Sequence, residues 1–256
     1  MPGRLREFHE KFLVEHRDIS RRERQGWLWL AVALVAIGAA TFGVLLADIG
    51  ERNDLALMDA PLANWLRSTR SPEVTPLMIA FAVVFGPIVL SLIVLTVTVT
   101  WGILSRHAWR PVVLALGTLA AVVAVRIAAE LVQRSRPPIE LMIFGPDTSY
   151  SFPSGHVVGA AEFGLLASYL VFSRSKRQLR AILAMTVTVA VVILLGVSRV
   201  YLGYHWATDV LASVALALAI LGCVVAIDTF RTTGMSPSRS RMSAAAGRNP
   251  GETSGS

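Results

Sequence analysis

Apolar residues in this chain come in long runs separated by short polar stretches. Six of the runs are long enough to cross a bilayer, which takes about 20 residues in a helix. They cover 27–47, 76–104 with Pro87 as a kink, 111–132, 156–172, 181–197 and 205–227. Inside the polar stretch 48–75, apolar residues at helical spacing over 55–66, Trp65 among them, predict a short helix lying at the membrane interface. The pattern therefore predicts an all-α protein: a six-transmembrane-helix bundle with a short interfacial helix between spans 1 and 2.

Composition sharpens this picture. Hydrophobic residues make up 54% of the 256 and charged ones only 16%, with a mean hydropathy of +0.59. A soluble domain carries more charge. The net charge of +7 would suit a nucleic-acid binder, but the positive residues flank the apolar runs, which points to a membrane surface instead. The single cysteine, Cys223, lies within an apolar run, so neither a disulfide framework nor a cysteine metal site is available.

The basic residues cluster in the first 26 residues, in the links 105–110 and 174–180, and in the tail. Six spans put all of these on one side, and the positive-inside rule makes that side cytoplasmic. The expected organisation is a basic cytoplasmic segment over 1–26, a six-span domain over 27–228 and a disordered cytoplasmic tail over 229–256. With Phe8, Phe12 and Leu13 among its arginines, the first segment reads equally as an amphipathic surface helix or a solvated tail. The polar segments 48–75, 133–155 and 198–205 then meet on the outer face of the plasma (inner) membrane.

Three groups on that face carry chemistry. The first is Arg134-Ser135-Arg136-Pro137, which alone reads as a pair of snorkelling anchors. The second is Pro153-Ser154-Gly155-His156, which alone is an ordinary capped helix start. Here Ser154 is placed as N-cap, Gly155 admits close approach of a ligand, and the helix N-terminus behind them is an anion site. The third runs from Ser198 to Asp209, SRVYLGYHWATD. His205 and Asp209 stand at i and i+4, so on a helix the carboxylate reaches back to the imidazole, fixing its tautomer and freeing the other nitrogen. Arg199 supplies a planar fork suited to phosphate. Alone, the His/Asp pair reads equally as a structural hydrogen bond; together, the three groups describe a phosphoryl-transfer site. In span three, Arg126 and Glu130 also stand at i and i+4 and read as a mutually neutralising pair.

RSRP, PSGH and SRVYLGYHWATD, in this order in a six-span chain, resemble the type 2 phosphatidic acid phosphatase (PAP2) superfamily. That pattern is K-x6-R-P, P-S-G-H and S-R-x5-H-x3-D. The second and third parts are complete here; in the first, Arg136 and Pro137 match but Ala129 occupies the lysine position. The resemblance implies that His205 attacks phosphorus and forms a phosphohistidine, oriented by Asp209, and that His156 is the general acid. It further implies that Arg136, Arg199, Ser154 and the Gly155 N–H hold the phosphoryl oxygens. Arg126 and Arg134 are the candidates to replace the missing lysine charge. No metal or other cofactor is expected, and no nucleic acid. The implied partner is a lipid phosphate in the bilayer, with undecaprenyl diphosphate first and phosphatidate or phosphatidylglycerophosphate as rivals. A lipid phosphotransferase would use the same residues, and the absent lysine would suit a binder without turnover. Vanadate-dependent haloperoxidases share the pattern but are soluble.

The arrangement of charge yields a topology test. In a Cys223→Ala background, Thr148→Cys should react with a membrane-impermeant thiol reagent in intact cells, and Ser175→Cys only after permeabilisation. The reverse labelling would place the three groups in the cytoplasm.

Overall fold

The computed structural model describes residues 15, 17, 19–51, 54–175 and 177–233. Most of the basic N-terminal segment and the tail from 234 onward lie outside the described residues. Within them, nine α-helices follow one another: α1 (Arg21–Glu51), α2 (Asp54–Leu57), α3 (Asp59–Ser68), α4 (Val74–Val84), α5 (Pro87–Leu104), α6 (Trp109–Val132), α7 (Gly155–Phe172), α8 (Gln178–Tyr201) and α9 (Ala207–Thr232). A 3₁₀ turn at Ile139–Leu141 lies in the loop between α6 and α7.

Six of these helices, α1 and α5 to α9, are long and apolar enough to cross a membrane. Three expectations change in detail, the first being that the short helix expected over 55–66 is two, α2 and α3, divided at Met58. The run 76–104 is not one kinked span but two helices, with Phe85 and Gly86 between them and Pro87 opening α5. Proline at a helix start loses no hydrogen bond, because that N–H has no intrahelical partner anyway. The last helix continues to Thr232, past the expected end near 227.

The centre of the bundle is α7, most of whose residues from Val157 to Leu170 are buried against α6, α8 and α9. Outside that core, α1 packs along α9 at very short range. Ala31, Gly38 and Leu45 form its buried line, seven residues apart. A Cβ on Gly38 would stand 2.5 Å from the Ala215 carbonyl oxygen, and one on Gly222 would stand 2.7 Å from that of Ala31. In lipid there is no hydrophobic gain from joining two helices, so close packing through small residues holds this pair.

One end of the bundle is tied by Asp228. Its carboxylate accepts hydrogen bonds from Trp109 Nε1 at 2.7 Å, Tyr169 Oη at 2.7 Å and Arg174 at 2.8 Å. Glu15 pairs in turn with Arg110 and Arg174. With that end fixed, the polar groups of interest gather at the other.

The α1–α9 contact gives a direct test. Gly38→Leu and Gly222→Leu should each destabilise the folded protein by roughly 1–3 kcal/mol or more through overpacking, read as a lowered thermal midpoint in detergent. Gly43→Leu, at a position with nothing within 4 Å of an added Cβ, should leave the midpoint unchanged.

Candidate active site

Helix α6 ends where Gln133 turns left-handed at φ 49°, and the chain then runs across the end of the bundle opposite Asp228. Arg134, the first residue of that crossing, is buried among acids. Its Nη2 donates to Asp59 Oδ2 at 2.6 Å, and its Nη1 donates to Asp209 Oδ1 at 2.5 Å and to Thr208 Oγ1 at 2.7 Å. Asp59 completes the link by accepting from the Thr208 N–H at 3.0 Å and the Thr208 hydroxyl at 2.5 Å. One guanidinium thus joins α3, the loop after α6 and the start of α9. It is neither a snorkelling anchor nor turned to a phosphate, because its terminal nitrogens are committed to carboxylates.

His205 precedes α9 rather than lying on it; Trp206 is the N-cap and Asp209 the third helical residue. The i, i+4 helical geometry therefore does not form. Instead Asp209 Oδ2 accepts the Trp206 N–H at 2.9 Å and stands 3.6 Å from His205 Nδ1. The direct hydrogen bond from Nδ1 goes to the Ser151 carbonyl at 2.8 Å. Both neighbours of Nδ1 only accept, so Nδ1 carries the proton and Nε2 keeps its lone pair. Nε2 faces Arg136 Nη1 at 3.2 Å. Burial above all, and then the charges of Arg199 and Arg136, pull the His205 pKa down to about 4 against the opposing pull of Asp209. The ring is neutral at pH 7, as a nitrogen nucleophile must be.

Around Nε2 the site is cationic and under-satisfied. Arg199, on α8, is 5% exposed and stacks at 4.4 Å on the Tyr204 ring. Among the described residues it has no hydrogen-bond or ion-pair partner, and its Nε is fully buried. Ser154 sits at the N-cap of α7, but its hydroxyl makes no capping bond; it is buried and equally without a partner. The Ser154 N–H is held by Ser213 Oγ at 2.8 Å, and Ser213 donates to the Asp209 carbonyl at 2.6 Å. Gly155 is exposed at the start of α7, whose first N–H groups point outward. His156, the second residue of α7, lies within the field of the Arg199 and Arg136 guanidinium groups. Gly86, in the break between α4 and α5, lies so close that an added Cβ would be 3.6 Å from His156 Nε2.

Arg136 is held by the loop above it, donating to the Ser149 carbonyl at 3.0 Å, the Tyr204 carbonyl at 2.7 Å and Ser149 Oγ at 2.9 Å. It also pairs with Asp147 at 3.0 Å. Burial raises the Asp147 pKa, but hydrogen bonds from Ser149 and the Arg136 charge outweigh it and hold the carboxyl below its usual range.

The sequence motifs thus converge: Arg136, Ser154, Gly155, His156, Arg199, His205 and Asp209 gather at one end of the bundle. Two candidates do not join them. Arg134 is used as described, and Arg126 lies on the exposed outer side of α6 with no ion pair to Glu130. The expected neutralising pair is absent, and neither arginine replaces the lysine missing at Ala129. Several contributors were not foreseen. Ser151 acts through its backbone carbonyl, which carries no side-chain signal. Asp59 was one acid among several in an amphipathic stretch. Arg70 donates to the Tyr201 carbonyl at 2.6 Å and to the Leu141 carbonyl at 2.8 Å, fixing the turn before His205. That turn needs Gly203, whose φ is +87° and whose Cβ would come within 2.3 Å of the Leu141 oxygen. Among the described residues no three His, Cys, Asp or Glu side chains come together as metal ligands.

Comparison with known proteins bears on the family and the fold. Residues 110–232 match the family model of the PAP2 superfamily. Phosphatidylglycerophosphatase B of Bacillus subtilis (strain 168) is 33% identical over 109 residues, covering 40% of this chain and 50% of the relative. The chain thus spans about half the length of this curated relative. The crystal structure of a transmembrane PAP2 type phosphatidylglycerolphosphate phosphatase from Bacillus subtilis superposes with a TM-score of 0.66 at 22% identity, covering 75% of this chain and 96% of that one. Aquifex aeolicus LpxE superposes with a TM-score of 0.52 at 20% identity, covering 66% and 94%. The fold of six apolar helices is that of a multi-pass membrane protein.

The protonation state of His205 is open to measurement. In ¹⁵N-histidine-labelled protein, its ring resonances, assigned by their loss in His205→Ala, should report a neutral Nδ1–H tautomer from pH 8 down to about 5. A midpoint near the ordinary 6.5 would show that burial does not hold the ring neutral.

Proposed function

We propose, from the premise that the chain carries a PAP2-superfamily domain over residues 110–232, that it is an integral-membrane lipid phosphatase working through a phosphohistidine. The observation that carries this reading is Arg199: a charged guanidinium, buried, with no anion beside it, next to an unpartnered Ser154 hydroxyl and the free Nε2 of His205. A buried charge is costly unless paired. Its partner is the phosphoryl group of the substrate.

The proposed reaction has two steps. His205 Nε2 attacks phosphorus while the bond to the leaving oxygen breaks, and protonated His156 gives its proton to that oxygen. Water then attacks the phosphohistidine, His156 recovers a proton from it, and inorganic phosphate leaves with His205 restored. Arg136, Arg199, Ser154 and the N-terminal N–H groups of α7 hold the oxygens, where charge accumulates in the transition state. Asp209 and the Ser151 carbonyl keep the imidazole in the reactive tautomer.

A lipid substrate is supported by the site lying at one end of six apolar helices. The name of the Bacillus subtilis relative favours phosphatidylglycerophosphate as headgroup. Undecaprenyl diphosphate and phosphatidate are the competitors to test beside it. The charge distribution supports an extracytoplasmic site with both termini in the cytoplasm.

Purified protein should release phosphate from a panel of these lipids, with phosphatidylglycerophosphate turned over fastest. His205→Ala should reduce release to background and leave no acid-labile phosphoenzyme, and His156→Gln should slow turnover by roughly 10²–10⁴-fold. Activity should be unchanged by EDTA. Near wild-type release from folded His205→Ala would sink the covalent mechanism, and loss on chelation that Mg²⁺ restores would sink the metal-free one.

A further inference from the structure

The lipid-facing side of α6 carries a pattern that the phosphatase reading does not use. Leu116, Leu119, Val123, Arg126 and Glu130 are all exposed, and their spacings are three, four, three and four residues. That alternation is the a/d seam of a two-stranded left-handed helix pair. Its first three members are apolar and its last two are opposite charges.

Those charges lie in a poor place for a monomer. Arg126 is six residues from the outer end of α6, about 9 Å along the axis. Helical side chains lean toward the N-terminus, here away from the outer interface. A charge within the hydrocarbon costs about 2.5–3.5 kcal/mol on insertion scales. Among the described residues neither Arg126 nor Glu130 has an ion-pair or hydrogen-bond partner. Pairing within the helix is also disfavoured, because cation before anion at i, i+4 is the weaker order. A lipid phosphate would meet the arginine and leave the glutamate bare.

We propose that this stripe is a self-association surface, and that its occupant is α6 of a second copy of the chain related by a two-fold axis along the membrane normal. Two copies in one membrane share their orientation, so their α6 helices run parallel. In parallel knobs-into-holes packing the knob at 130 enters a hole that includes position 126 of the facing helix. Arg126 of each copy then meets Glu130 of the other, giving four charges of alternating sign and no net charge. The apolar members Leu116, Leu119 and Val123 close the inner half of the seam.

The test uses the full chain in proteoliposomes. In a Cys223→Ala background, Val123→Cys should form a disulfide-linked dimer on mild oxidation, whereas Ile193→Cys, 59% exposed on α8, should not. Arg126→Glu and Glu130→Arg should each lower the cross-linked fraction several-fold, and the double exchange should restore it. Single-molecule photobleaching of the same variants, each first checked for an unchanged thermal midpoint, gives the dimer fraction independently of the thiol. Equal cross-linking at 123 and 193, or single exchanges that leave the dimer fraction unchanged, would overturn the proposal. Loss of co-purified anionic lipid in Arg126→Glu without a change in dimer fraction would assign the stripe to lipid and overturn it too.

Discussion

The site-bearing end of this molecule depends on one guanidinium between two carboxylates. Arg134 bridges Asp59 and Asp209, and through Thr208 the same acids hold the start of α9. Breaking a buried ion pair by removing one partner costs about 3–5 kcal/mol, because it strands a charge. Asp209 is therefore fixed before it meets His205. The imidazole inherits its position from this chain of contacts and from the Ser151 carbonyl. An orienting carboxylate free to rotate would give the ring two tautomers; one held by Arg134 and the Trp206 N–H gives it one.

Against that compensated cluster stands the uncompensated one a few ångströms away. Arg136 has Asp147 and a set of carbonyls, whereas Arg199 has only the face of Tyr204. The site is thus divided into a neutral half, where charge is balanced and geometry is rigid, and a half that stays positive because Asp147 pairs with Arg136 and leaves Arg199 without an ion pair. Donors already in place require no reorganisation when negative charge develops. The break between α4 and α5 lies beside this half, where a Cβ added to Gly86 would touch His156 Nε2 at 3.6 Å.

Much of this was legible in the chain. The six apolar runs became six spanning helices, because length and hydropathy alone decide whether a helix suits a bilayer. The seven motif residues came together because each lies at or next to a helix end, and all those ends share one face of the bundle. What the sequence concealed was of two kinds. Pairings between distant polar residues, such as Asp59 with Arg134 or Arg70 with the Tyr201 carbonyl, depend on which loops meet, and no local pattern encodes that. Backbone groups such as the Ser151 carbonyl have no letter at all. The His205/Asp209 spacing misled for a related reason: it fits a helix, yet α9 begins only at Ala207, and the carboxylate faces the ring from within the first turn while the ring stands outside it.

The close packing of α1 on α9 bears on how such a chain is assembled. The helix that comes first in the described sequence finds its main partner in the one that comes last, with Gly38 against Ala215 and Gly222 against Ala31. Contacts so far apart in sequence form late. As the chain enters the membrane, α1 must wait in lipid, its glycine line uncovered, until every other span has been delivered. His205 and Asp209 precede and open that final helix, so the pocket is completed in the same event that seals the bundle. A ribosome that stops one span early would leave a membrane protein with five spanning helices, a bare small-residue surface on α1 and a nucleophile without its support.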